Sequence, residues 1–217
     1  MLIWYEVIYW ISFSSYLLPI IVFIPKKGIF KTEDNLSSVL LFYQIICIST
    51  ELFNIFYMQF FRNNNPVIHI YTIVIFVLVS FFYFKIFKNF NYKKLLFPMT
   101  IFFIIYSFYE FFNNQGYLNV NTKPYLILTI YTIILSSIYF YKVYSEMKIA
   151  NLFQDGLFWV NSAFLIYFSS TFYVSLFEDY IRSEDSNLLY YTWPIQLVST
   201  IIFNVILSRG IWLMRKQ

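Results

Sequence analysis

One cysteine, one histidine and four glycines are all that this chain of 217 residues holds of three residue types on which much protein chemistry rests. Cys47 alone can close no disulfide within the chain and build no thiolate metal cluster; inside an apolar run it reads as a small buried side chain. A single histidine, His69, leaves no HExxH pair, no two carboxylates stand one helical turn apart within an apolar run, and no glycine-rich phosphate loop is present. The expectation is a protein that is not an enzyme, with no catalytic residue, no metal site and no cofactor. So few glycines also argue against an ion filter lined by backbone carbonyls.

Charge is scarce as well. Only 12% of the residues are charged, against about 25% in a soluble domain. What fills the chain instead is apolar: 60% hydrophobic, with 25% aromatic. A globule of this size has no interior large enough for that surface, and lipid is the natural solvent for it. The net charge of +4 is spread over the ends of apolar runs and forms no single basic patch, so nucleic acid is not the expected partner.

A spanning helix needs about 20 mostly apolar residues. Seven runs qualify, over approximately 3–24, 38–61, 67–86, 95–113, 124–143, 157–177 and 190–212. The stretches between them, such as PKKGIFKTEDNLS, RNNNP and KNFNYKK, are too short for a soluble domain. The sequence thus predicts an all-α polytopic membrane protein, one seven-helix transmembrane domain over residues 1–217. The start, MLIWYEVIYW, has no basic region ahead of its apolar run and no small-residue cleavage pattern after it, so it reads as a retained helix.

Lysine and arginine set the expected orientation. Taking alternate connections, one set holds Lys26, Lys27, Lys31, Lys85, Lys88, Lys93, Lys94, Lys142, Lys148, Arg209, Arg215 and Lys216, and the other only Arg62, Lys123 and Arg182. The positive-inside rule places the first set in the cytoplasm, the N-terminus outside and the C-terminus inside. That arrangement requires an odd number of spans, so the charge count supports seven independently of hydropathy. Trp4 and Trp193 then fall near the outer interface and Trp159 and Trp212 near the inner one, with Trp10 deeper.

The ionisable side chains within the spans are the candidate functional residues, because a charge in hydrocarbon costs about 2.5–3.5 kcal/mol on insertion scales and must face the bundle or water. Glu6, in the first span, lies about 5 Å below the outer surface by helical rise. Glu110, in the fourth, is at similar depth, and His69 is close to the outer end of the third. Glu51, in LLFYQIICISTELFNIFYMQFF (40–61), lies about 15 Å down, near the midplane. The expected picture is an outward-facing polar pocket above a drier floor whose polar groups are hydroxyls and amides: Gln44, Ser136, Ser137, Asn161, Ser162 and Asn204. On the second span, Gln44, Cys47, Glu51 and Asn54 share one helix face, continued by Met58. Asn161 and the hydroxyls after it on the sixth span are further partners for such a face. An end-to-end count puts His69 about 12 Å from the level of Glu51, too far to pair, but at the level of Glu110. A His69–Glu110 pair facing outward would be apt to titrate near neutral pH. Seams of the GxxxG type are absent, so packing is expected to rest on serine and interlocked aromatics.

Seven spans with an external N-terminus match rhodopsins and receptors in topology, but the seventh span carries no lysine for a retinal Schiff base before its cytoplasmic end. Seven-span sugar transporters of the Pro-Gln-loop type share only the count, because no Pro-Gln pair is present. The stretches FWVNSAFLIYFSSTF (158–172) and WPIQLVSTIIFNVIL (193–207) resemble an uncharacterised group of small bacterial seven-helix membrane proteins, similar to the membrane portions that accompany sensor histidine kinases. That resemblance implies a sensory or accessory role in the inner (plasma) membrane, relaying an external cue through helix movement to a cytoplasmic or membrane signalling partner, with the lipid bilayer as the constant partner. Two other readings stay open: a small-solute or proton-coupled transporter with Glu51 as proton carrier, and a structural subunit of a membrane complex.

Overall fold

The computed structural model describes residues 2–24, 36–61, 63–87, 93–113, 121–146, 151–184 and 189–215. They are helical almost throughout, with no strand among the described residues. The helices are α1 (Leu2–Ser15), α2 (Leu17–Phe23), α3 (Leu36–Phe61), α4 (Asn65–Ile86), α5 (Lys93–Asn113), α6 (Thr122–Glu146), α7 (Gly156–Glu184) and α8 (Leu189–Met214), with a 3-10 turn at Leu152–Gln154. Taken together, α1 and α2 make one span, and seven helices are long and apolar enough to cross a membrane. The boundaries follow the apolar runs to within about three residues, because hydrocarbon forces every backbone polar group into an intrahelical bond until the chain leaves it; the exception is α7, which runs on to Glu184 past the expected end at 177. Most of the connections used to orient the chain, with Lys26, Lys27, Lys31, Arg62, Lys88, Lys148 and Lys216, lie outside the described residues.

The first span is interrupted at Tyr16. Pro19 supplies the cause. It has no N–H to give the carbonyl of Ser15, four residues back, and its ring crowds that carbonyl. Tyr16 closes the first piece with a tighter bond to the carbonyl of Phe13 (3.3 Å). Pro194 also sits inside a helix: α8 begins at Leu189, so this proline falls in the second turn.

The chain divides into two compact units, Met1–Ser37 with Thr129–Gln217, and Ser38–Leu128. In the first unit α1 and α2 pack on α8, and α8 packs along α7. Tyr5 lies beside Trp193 (ring centroids 6.2 Å), Asn204 donates to Ser15 (2.8 Å), and Arg215 donates to the carbonyl of Val22. These three contacts ascend both helices in the same order, so the first and last spans run parallel. Asp155 caps the start of α7, accepting from the backbone N–H groups of Leu157 (3.1 Å) and Phe158 (3.2 Å), and takes a third bond from the Tyr139 hydroxyl of α6 (3.1 Å).

Where α7 and α8 cross, two glycines meet. A Cβ on Gly156 would stand 2.7 Å from the Gly210 carbonyl oxygen and 2.7 Å from the Met214 nitrogen; one on Gly210 would stand 3.0 Å from the Gly156 carbonyl oxygen. GxxxG runs are absent as expected, yet glycine joins serine and the aromatics in the packing. The seam takes one glycine from each helix, which a search for paired glycines along one helix cannot find. Beyond the crossing the helices interlock through aromatics, with Phe203 between Phe164 (5.6 Å) and Tyr167 (5.2 Å).

In the second unit α4 packs on α5, with Phe76 stacked on Phe103 (3.7 Å between centroids). Helix α3 reaches α4 through Cys47 and the Tyr71 hydroxyl (3.5 Å). The first turns of α6 belong to this unit and the remainder of that helix to the other.

Candidate functional site

A buried polar cluster forms in the second unit where α4 begins, α5 ends and α6 begins. Its α4 part starts from NNNP: Pro66 stands in the first turn, and the Asn63 side chain accepts from the Asn65 N–H (2.9 Å). One turn on come His69 and Thr72, both buried. Thr72 turns its hydroxyl onto the carbonyl of Ile68 (2.8 Å), a common way for a hydroxyl to be satisfied inside a membrane helix.

The α6 part comes from NTKP. The carbonyl of Asn121 accepts the first helical bond, from Tyr125 (3.2 Å). Its side-chain amide donates to Thr72 Oγ1 (2.7 Å) and lies 3.5 Å from the Ile68 carbonyl, so α6 is tied to α4 at its first turn. From α5, the largely buried Glu110 accepts from the Tyr106 hydroxyl (2.9 Å) and pairs with Lys123 of α6 (3.4 Å). The Lys123 side chain is 61% exposed, so this pair gives registry more than stability. His69 meets the Phe111 ring edge-on (5.2 Å). Asn121 Oδ1 in the cluster, and Ser107 Oγ one turn before Glu110 along α5, are buried with no hydrogen-bond partner among the described residues. Such atoms are costly in an apolar interior and are the natural contacts for a small polar guest or a rearranged neighbour.

His69 and Glu110 are both buried, on helices α4 and α5 that pack together, and the ring His69 meets is that of Phe111, the residue after Glu110. Glu51 is half-buried and has no hydrogen-bond or ion-pair partner among the described residues. Its helix face is graded: Gln44 and Cys47 are buried, Glu51 and Asn54 intermediate, and Met58 45% exposed. Asn54 Oδ1 is itself enclosed with no hydrogen-bond partner among the described residues. The Cys47–Tyr71 contact gives a better ruler than the helix ends. Glu51 lies one turn, about 6 Å, and His69 two residues, about 3 Å, toward the α3–α4 connection from it. The two thus stand at nearer levels than an end-to-end count implies, because the last turns of α3, with Phe56, Phe60 and Phe61 exposed, run on past its packed part.

Glu6 and Asn161 belong to the other unit. Glu6 is exposed on α1. Asn161 is fully buried and turns its amide onto the carbonyl of Leu157 in its own helix (2.9 Å). Among the described residues no group of three His, Cys, Asp or Glu could hold a metal ion.

Sequence reasoning passes over Asn121, Thr72, Ser107 and Tyr106, and counts Lys123 only as a topological charge. Asn followed by Thr-Lys-Pro ahead of an apolar run is a readable helix start. Its reach onto α4 is not readable, because that depends on how two helices are rotated toward each other. No family model, no curated protein and no solved structure matches the chain.

Proposed function

We propose that this is a sensory or signalling-accessory membrane protein in which a cue is received at the His69–Glu110–Asn121 cluster and passed on by movement of α6. The observation that carries the reading is the way α6 is held. Its start is tied to α4 by Asn121 and to α5 by Lys123, and the buried Asn121 Oδ1 has no hydrogen-bond partner among the described residues. The same continuous helix runs on into the other unit. A guest or proton that breaks the Glu110–Lys123 or Asn121–Thr72 contact therefore acts on a lever that leaves the site. The basic connections would set the N-terminus outside and the C-terminus in the cytoplasm of a bacterial inner membrane, where a partner reads the motion. The activity is non-enzymatic and needs no cofactor.

The test uses the proton as the simplest cue, since histidine is the side chain whose ordinary charge change falls between about pH 5 and 8. Other titratable groups on α4 and on the helices joined to it are Tyr71 of α4, Glu110 and Tyr106 of α5, Lys123 of α6, and Cys47 and Glu51 of α3. Hydrogen exchange over the first turns of α6, in bilayer-reconstituted protein, is expected to change several-fold across that range. His69→Ala and Glu110→Gln are expected to remove the change. A flat wild-type profile, or one that both variants leave intact, contradicts the proposal.

A transporter is the second reading, favoured by Glu51, which lies within an apolar span and has no hydrogen-bond or ion-pair partner among the described residues, and by the interrupted first span; broken helices commonly accompany substrate sites in transporters. It predicts that vesicles containing the protein build a proton-dependent solute gradient, and that Glu51→Gln abolishes it. Unchanged uptake by the variant removes Glu51 from that role.

A further inference from the structure

The first unit holds a second place with the makings of a site. An open groove of about 630 Å³ runs along α1 into α2, lined by Glu6, Val7, Trp10, Ile11, Ser14 and Leu18, with Ser15 and Ile201 at its side. Residues 7, 11, 14 and 18 follow helical spacing, so the groove tracks one face of the span. From Glu6 to Leu18 the helix rises about 18 Å, close to the roughly 15 Å of one leaflet's hydrocarbon. Five of these residues are large and apolar, and four of them, Val7, Trp10, Ile11 and Leu18, expose 40% or more of their surface. The shape suits one extended hydrocarbon chain.

The head of the groove is chemically distinct. Glu6 is its only ionisable residue, is exposed, and has no ion-pair partner among the described residues. One turn below stands Trp10, 56% exposed, its ring braced edge-to-face by Tyr9 (5.6 Å) and Phe13 (5.8 Å). A carboxylate beside an indole is a pairing that attracts an ammonium group, through charge and through the ring face together. It repels a phosphate, which argues against an ordinary phospholipid headgroup at the same point. Toward the lower end, Ser14 and Ser15 stand just before the helix break, where Pro19 cannot occupy the Ser15 carbonyl.

We propose that this groove binds a single-tailed amphiphile with an ammonium head, the head between Glu6 and Trp10 and the tail along Val7, Ile11 and Leu18. The occupant is set by charge complementarity at the head and by length and apolar lining along the tail. The site is separate from the polar cluster of the second unit and does not depend on the reading given to it.

The experiment is native mass spectrometry of the full chain released from nanodiscs equilibrated with dodecyltrimethylammonium. Dodecylphosphocholine and dodecanoate serve as probes of equal tail length. One saturable ammonium amphiphile per chain is expected, with neither of the others competing. Glu6→Gln is expected to weaken binding about tenfold through loss of the charge. Ile11→Trp, which fills the groove without touching its head, is expected to remove it. Both positions are exposed, so thermal stability should stay that of the wild type. Undiminished binding by either variant, or equal binding of the phosphocholine probe, overturns the proposal. So does uptake that rises without saturation.

Discussion

Gly210→Val and Gly156→Val are each expected to cost about 3 kcal/mol or more, and to leave little monodisperse protein after extraction in mild detergent. The physical reason is backbone contact. A Cβ at Gly156 would lie 2.3 Å from Met214 Cγ, and a flexible side chain could yield there; it would also lie 2.7 Å from the Gly210 oxygen and the Met214 nitrogen, which cannot yield without moving α8. Overpacking in a filled interior commonly costs about 1–3 kcal/mol, and the cost rises where rigid atoms are opposed. Here α7 and α8 would have to part along a seam that also carries Val160, Ala163, Phe164, Phe203 and Leu207, all buried. The discriminating comparison is Gly156→Ala with and without Met214→Ala. If side-chain crowding were the whole difficulty, the second change would restore stability. Backbone opposition predicts that it does not. Thermal unfolding of the purified variants checks this, and wild-type stability for Gly210→Val would show that the helices do not cross so closely.

The second large effect is expected at Asn204. Its side chain is fully buried and donates to Ser15 Oγ (2.8 Å), which itself donates to the Ser12 carbonyl (2.6 Å). This chain of bonds ties α8 to α1 immediately before the break at Tyr16. Asn204→Leu keeps the volume roughly constant and loses one interhelical bond, so it should cost about 1 kcal/mol, in the range measured for such bonds in membranes. Asn204→Asp puts an ionisable carboxyl in the same enclosed place and should cost about 3 kcal/mol at neutral pH, the scale of a charge within a membrane helix. A ranking of Asp well below Leu, read from thermal unfolding in detergent, is the expected result. Equal losses would mean that water reaches Asn204. Combining Ser15→Ala with Asn204→Leu should cost less than the two single losses added, since both remove the same bond.

These two sites show how far the residues themselves can be read. Glycine and asparagine at 156, 204 and 210 are plain in the sequence, yet nothing along the chain says that 156 faces 210 or that 204 faces 15. The helices are apolar on nearly every side, so hydropathy does not point to an inner face as it would in a soluble protein. The same limit applies to the polar cluster. His69 and Glu110 are picked out by being ionisable within apolar runs, which is a local property. Asn121 and Ser107 are ordinary polar residues until α4, α5 and α6 are brought together, and Lys123 passes for a topological marker until Glu110 is found beside it. Glu51 is legible as an anomaly, but the level at which it sits is set by the register of α3 on α4 and not by its distance from the end of an apolar run.

By itself the sequence determined the all-helical class, the seven long apolar helices and nearly all of their limits. Hydrocarbon imposes its demands on each segment separately: enough apolar residues to cross, and every backbone group bonded within the helix. Only the tertiary structure decided the break's tie to α8, the glycine crossing and the company kept by His69 and Glu110. Those depend on rotation and register between helices, which side-chain shape settles in three dimensions after the solvent has already fixed the spans.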